Sequence, residues 1–210
     1  MIASERAAGL RYVALGDSYT IGTSVDAGER WPERLAATLA PGTGVGSGLS
    51  IVANLGVDGY TTGDLIRDEL PVLAGLEPGF VSVLIGVNDV VRGVPLASYE
   101  ANVALILDAI LALVPAERVI TVAIPDYTVT PSGAKYGDPR LKHDGIVANN
   151  AAMARLAADR GIAFVDIFDI SLEAAADRSL VADDGLHPSG IQYSRWLERI
   201  VPVVAGRLGP

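Results

Sequence analysis

Tyr12-Val13-Ala14-Leu15-Gly16-Asp17-Ser18-Tyr19 is the stretch that decides the fold. Four apolar residues without interruption suit a strand buried on both faces, and a glycine followed by two polar residues ends it abruptly. The pattern recurs downstream. Ser50–Ala53 runs into Asn54-Leu55-Gly56, and Phe80–Ile85 runs into Gly86-Val87-Asn88-Asp89. Two further apolar runs cover Arg118–Ile124 and Ile162–Ile167. Helical patterns fill the intervals at Glu29–Ala40, Thr62–Ala74, Ser98–Val114 and Leu141–Arg160. Tyr99, Val103, Ile106, Ile110 and Leu113 mark one apolar stripe at spacings of three and four. A last helix is expected from Pro188 onward, with Ile191, Trp196, Ile200 and Val203 recurring on it. Five strand–helix units in series predict an α/β fold: a five-stranded parallel sheet, right-handed crossovers, and helices on both faces.

The 210 residues fit one domain, 1–210, and no repeat or inter-domain linker interrupts them. With no cysteine, the chain has no disulfide, zinc ribbon, iron–sulfur cluster or thiol nucleophile. Two histidines are too few for a His-rich metal site, so no metal is expected. The formal charge of −9 disfavours nucleic acid, whose binding needs a basic surface, and stable association with anionic membranes. Met1–Arg6 lacks a basic segment leading into an apolar stretch, and no run approaches the length of a bilayer span. A cytoplasmic location is the expectation. Nothing in the sequence sets an oligomeric state.

In open parallel sheets, ligands meet the carboxyl ends of the strands. Those ends carry Ser18, Gly56, Asn88 and, before the last helix, Asp183-Asp184-Gly185-Leu186-His187-Pro188-Ser189. Acyl transfer through serine needs a nucleophile, a base, a group that orients the base, and donors for the oxyanion. Ser18 supplies a hydroxyl and His187 an imidazole. Asp184 lies three residues before His187, so one turn brings its carboxylate to Nδ1. The backbone N–H groups of Ser18 and Gly56 and the Asn88 amide are candidate oxyanion donors, Gly56 having no Cβ in the way. Singly, each residue reads as a cap or turn residue. Four compatible roles at the strand ends of one sheet read as a site.

The four blocks Gly16-Asp17-Ser18-Tyr19, Asn54-Leu55-Gly56, Gly86-Val87-Asn88-Asp89 and Asp184-Gly185-Leu186-His187-Pro188 resemble those of the SGNH hydrolases, also called GDSL esterases and lipases. The resemblance runs from Tyr12 to Ile200 with the blocks in family order. It implies a flavodoxin-like three-layer α/β/α fold, serine hydrolysis of small-molecule esters and no cofactor. The roles it implies fall on Ser18, Gly56, Asn88 and His187, with Asp184 as third triad member. Tyr19 departs from the leucine many members carry there. An acyltransferase or lipase variant of the same chemistry is equally compatible.

Other readings are weaker. Gly42, Gly44, Gly46 and Gly48 miss the dinucleotide-loop spacing and join a helix to a strand. Ser132-Gly133-Ala134-Lys135 matches Ser-x-x-Lys but lacks its partner motifs. A flavodoxin-like FMN module would use the hydroxyls of Ser18–Thr23 for phosphate, and Tyr60 and Tyr127 for the ring. It leaves Asn88, Asp184 and His187 without a role. Tyr127–Asp144 is expected to be a long loop, a lid or binding segment, with His143 solvated on it. Tyr19, Val57, Tyr60, Val90 and Val91 are the expected pocket residues, which favours acyl groups from acetyl to hexanoyl.

Overall fold

The computed structural model describes residues 9–44 and 46–209; the opening segment read for a leader lies outside them. The strands are β1 (Leu10–Gly16), β2 (Leu49–Asn54), β3 (Phe80–Leu84), β4 (Val119–Val122) and β5 (Ala163–Val165). All pairings are parallel, in the order β2-β1-β3-β4-β5. The helices are α1 (Ser18–Ile21), α2 (Trp31–Thr38), α3 (Thr62–Asp68), α4 (Leu70–Leu73), α5 (Val87–Arg92), α6 (Leu96–Leu111), α7 (Pro139–Ala158), α8 (Phe168–Leu172) and α9 (Gly190–Leu208).

Side-chain alternation along the strands builds two cores. Tyr12, Ala14, Phe80, Leu84, Ile120 and Val122 face α2 and α9, where Trp31, Leu35, Tyr193, Trp196 and Ile200 pack. Val13, Leu15, Val81 and Val83 face α3, α6 and α7, where Leu65, Val103, Ile106, Ile110 and Met153 pack. The Tyr12 hydroxyl, buried in the first core, is satisfied by Ser82 Oγ at 2.7 Å. Strand order reverses direction between β1 and β3, so the crevice expected of such sheets opens above those two strands.

Several expected boundaries move, each for a local reason. The pattern at Thr62–Ala74 breaks into α3 and α4 with Pro71 at the start of α4. The last helix starts at Gly190 rather than Pro188; Ser189 caps it by accepting from Gln192 N at 3.3 Å, while Pro188 bridges Val181. The long loop ends at Asp138, whose carboxylate accepts from Arg140 N at 2.9 Å with Pro139 as first helical residue of α7. Residues 139–145 hold only one large apolar side chain, Leu141, so this part of the helix carries no apolar period. Among the described residues, no helix is long and apolar enough to cross a membrane.

Candidate active site

β1 ends on Gly16, held at φ 151°, where a Cβ would lie 2.1 Å from the Leu84 carbonyl oxygen. Only glycine lets β1 turn so closely against β3. Asp17 then caps α1, accepting from Tyr19 N at 3.0 Å, and Ser18 becomes the first helical residue at the floor of a cleft. Glu69 reaches under the same turn and accepts from Gly16 N at 2.9 Å. Asp17 Oδ2 and Glu69 Oε1 are buried and have no hydrogen-bond partner among the described residues. Burial pushes Asp17 up to about 8 and Glu69 up to about 9, with the neighbouring Asp17 charge adding to Glu69. Burial thus favours the neutral form of both carboxyls.

Linkage sets the sign of the resulting pH dependence. A carboxyl whose folded pKa is raised stabilises the fold fully below the ordinary carboxylate range and loses that contribution as pH rises toward the folded value. For Glu69 the loss runs from its ordinary range up to about 9. Glu69→Gln removes this titration, so its thermal midpoint should gain on wild type steadily between pH 5 and pH 9.5. A midpoint difference that stays constant across that range would contradict the assignment.

Asp184 and His187 sit on a turn closed by Gly185 N to Ala182 O at 2.9 Å and Ala182 N to His187 O at 2.8 Å. Asp184 Oδ1 accepts from Leu186 N at 2.8 Å and His187 N at 3.0 Å; Oδ2 meets His187 Nδ1 at 2.5 Å and accepts from Ser24 Oγ at 2.7 Å. Partial burial alone would raise this carboxyl, but hydrogen bonds from His187, Ser24 and the backbone hold it well below the usual carboxylate range. Asp183 is exposed and makes none of these bonds among the described residues. The Tyr19 ring packs edge-on against the imidazole with centroids 5.7 Å apart. Its backbone oxygen is fixed by Trp31 Nε1 at 3.1 Å and Tyr193 Oη at 3.2 Å. The departure at Tyr19 thus forms a wall for His187.

Asn88 lies in the first turn of α5, and one N–H of its amide donates to Tyr60 O at 3.0 Å, leaving the other directed elsewhere. Asp89 braces it from behind, accepting from Thr62 N at 2.9 Å and Thr62 Oγ1 at 2.5 Å. Ser18, Tyr19, Asn88 and His187 line one cleft of about 180 Å³. No hydrogen bond joins Ser18 Oγ to His187 among the described residues; such contacts are often long before substrate binds.

Gly56 stands differently from the expectation. It lines an adjoining groove, and its N–H donates to Asn54 Oδ1 at 3.2 Å. Its lack of a Cβ is a packing requirement: a Cβ would lie 2.7 Å from Ile21 N and 2.8 Å from Asp17 O of the α1 turn.

The cleft walls also differ from those expected. Tyr19 and Val91 line it, but Val57 lies in the adjoining groove. Val90 packs against the core, and the Tyr60 hydroxyl donates to Asp68 at 2.9 Å. Tyr127, Tyr136, Val87, Leu186 and Asp58 take their places. Tyr127 and Tyr136 come from the segment expected as a lid or binding segment. That segment is tied down: Ser132 N donates to Gly185 O at 2.9 Å, and Thr128 N to Asp126 Oδ1 at 2.8 Å. It is a wall. Lys135 Nζ does donate to Ser132 Oγ, at 3.2 Å, but that hydroxyl braces the Asp184 turn. His143 is no loop residue; it lies on α7 with Nδ1 2.5 Å from the buried Asp126 carboxylate.

The flavin reading loses its phosphate cradle. Thr20 Oγ1 is buried against Leu15 O and Leu84 O, Thr23 Oγ1 donates to Asp58, and Ser24 to Asp184.

The architecture is the α/β/α fold of the SGNH hydrolases. The sequence profile of the GDSL-like lipase/acylhydrolase family matches residues 14–195; the chain belongs to that family and is an ester-hydrolysing serine hydrolase. Among solved structures it resembles LAE5, an alpha/beta hydrolase enzyme from the metagenome of Lake Arreo, Spain, with TM-score 0.73, 22% identity, and 97% of this chain and 98% of that one covered. It resembles equally a variant of Axe2, an acetyl xylan esterase from Geobacillus stearothermophilus, with TM-score 0.73, 20% identity and coverages of 94% and 95%. The psychrotrophic esterase EstA from Pseudoalteromonas sp. is similar at TM-score 0.69, 18% identity and coverages of 94% and 98%. No curated protein matches the chain by sequence.

Proposed function

We propose that this chain hydrolyses neutral carboxylic esters of short acyl chains through Ser18, His187 and Asp184. One observation carries the reading: Asp184 holds His187 Nδ1 at 2.5 Å on the wall of the cleft that Ser18 and Asn88 also line. That bond selects the tautomer protonated at Nδ1, which leaves Nε2 to take the Ser18 proton. Ser18 Oγ attacks the ester carbonyl. The oxyanion accepts from Ser18 N–H and the second N–H of Asn88. The Gly56 N–H joins them by exchanging its long contact to Asn54. His187 then protonates the leaving alcohol, and water activated by the same imidazole releases the acid.

The cleft, at about 180 Å³, lies below the ~300–1,000 Å³ common for small-molecule sites, which supports short acyl groups. Asp58 adds a carboxylate at its edge and favours neutral over anionic esters. A series of p-nitrophenyl esters tests this. The expected kcat/KM peaks between acetyl and hexanoyl. A higher value on palmitoyl than on butyryl ester would contradict it.

Asn88 separates catalysis from turn formation. If its amide stabilises the oxyanion, Asn88→Ala should lower kcat about 10²–10³-fold with KM little changed, since the bond strengthens only as charge develops. Asn88→Asp should be at least as damaging. Near wild-type turnover in Asn88→Asp would reduce Asn88 to a turn residue.

A further inference from the structure

Six residues beyond Ser18 the chain does something costly. Gly22 ends α1 at φ 72°, its N–H donating to Ser18 O at 3.0 Å, and Ser24 then takes φ 67°. That left-handed conformation is uncommon for a residue with a Cβ, and such outliers persist where the surroundings hold them. Here the holding contacts are visible. Thr23 Oγ1 donates to Asp58, in the loop after β2, while Ser24 Oγ donates to Asp184 Oδ2 at 2.7 Å. Two adjacent hydroxyls thus fasten the segment that carries Ser18 to two of the loops that face it. The second lands on the same carboxylate oxygen that meets His187 Nδ1 at 2.5 Å.

We propose that Ser24 is a positioning residue of the catalytic machinery, orienting Asp184 and through it the His187 imidazole toward Ser18. The inference rests on the Ser18–His187–Asp184 triad. Asp184 Oδ1 is already set by two backbone N–H groups. Without Ser24, only His187 itself restrains Oδ2, and the pair can turn together about the Asp184 side chain. The strained backbone is what aims the Ser24 hydroxyl at Asp184. Ser24 touches no substrate in this scheme and should act on turnover rather than on binding.

Ser24→Gly removes the donor and relieves the backbone. Turnover of p-nitrophenyl acetate should fall about tenfold, the low end for a hydrogen bond to a charged acceptor at a partly exposed site, with KM within about twofold. The thermal midpoint should hold or rise. Ser24→Asn tolerates the left-handed conformation and restores an N–H donor, so it should regain most of the loss. In an Asp184→Asn background, Ser24→Gly should add less than about twofold, because both changes act through one carboxylate. Ser18→Ala runs alongside, scored by turnover and by labelling with a fluorophosphonate. Full turnover in Ser18→Ala would overturn the triad and the role of Ser24 with it. An inactive, unlabelled Ser18→Ala beside wild-type turnover in Ser24→Gly would overturn the role of Ser24 alone. So would equal impairment of the Gly and Asn variants, or multiplicative losses with Asp184→Asn.

Discussion

Ser18→Ala should reduce hydrolysis of p-nitrophenyl acetate by at least about 10⁴-fold, to the residual rate that oxyanion donors and binding alone support. The reason is the loss of the attacking atom from the floor of the cleft, with little else disturbed. Ser18 is the first residue of α1, and α1 is set by the Asp17 cap and by Gly22 rather than by the Ser18 hydroxyl. The variant should therefore keep its thermal midpoint and circular dichroism. The comparison that checks it is kcat and melting temperature on the same preparation. An inactive variant that has also lost its fold would say nothing about Ser18, so the intact midpoint is part of the expected result. Retained turnover would mean that another group attacks.

Asp184→Asn should cost a comparable factor, about 10⁴ in kcat. The amide can present an N–H to His187 Nδ1 where the carboxylate accepted one, which favours the tautomer that cannot take the Ser18 proton. It also forfeits the charge that stabilises the imidazolium formed in the transition state. Asp183→Asn is the control. Asp183 is exposed and makes none of the bonds converging on Asp184 among the described residues, so its variant should keep kcat within about twofold, as surface substitutions ordinarily do. A ranking with Asp183→Asn the more damaging would transfer the orienting role to it.

The residues that announce this site in sequence are those whose position relative to a strand end is fixed by local rules. β1 and β3 are mostly apolar runs, interrupted only by Arg11 and Ser82 and cut short by Gly16 and Gly86, and the polar residues next to these glycines must emerge at the carboxyl edge of the sheet. Asp184 and His187 are close because one turn spans three residues. Contacts between distant segments leave no such trace. Ser24 meets Asp184 across 160 positions, and His143 meets Asp126 from a helix whose first turns lack an apolar face. Tyr127 and Tyr136 line the cleft because Ser132 and Thr128 tie their segment down, and short polar residues in a loop do not reveal their partners. Gly56 is legible as a required glycine, but for a different reason: its absent Cβ makes room for the α1 backbone.

The proposed mechanism turns on a covalent intermediate at Ser18. Its most direct test is to inactivate the protein with a fluorophosphonate, digest it, and map the adduct by tandem mass spectrometry. The expected result is one phosphonyl group per chain, on Ser18, appearing in step with the loss of esterase activity and absent from Ser18→Ala. An adduct on another residue, such as Ser132 beside Lys135, or complete inactivation with Ser18 unmodified, would contradict it.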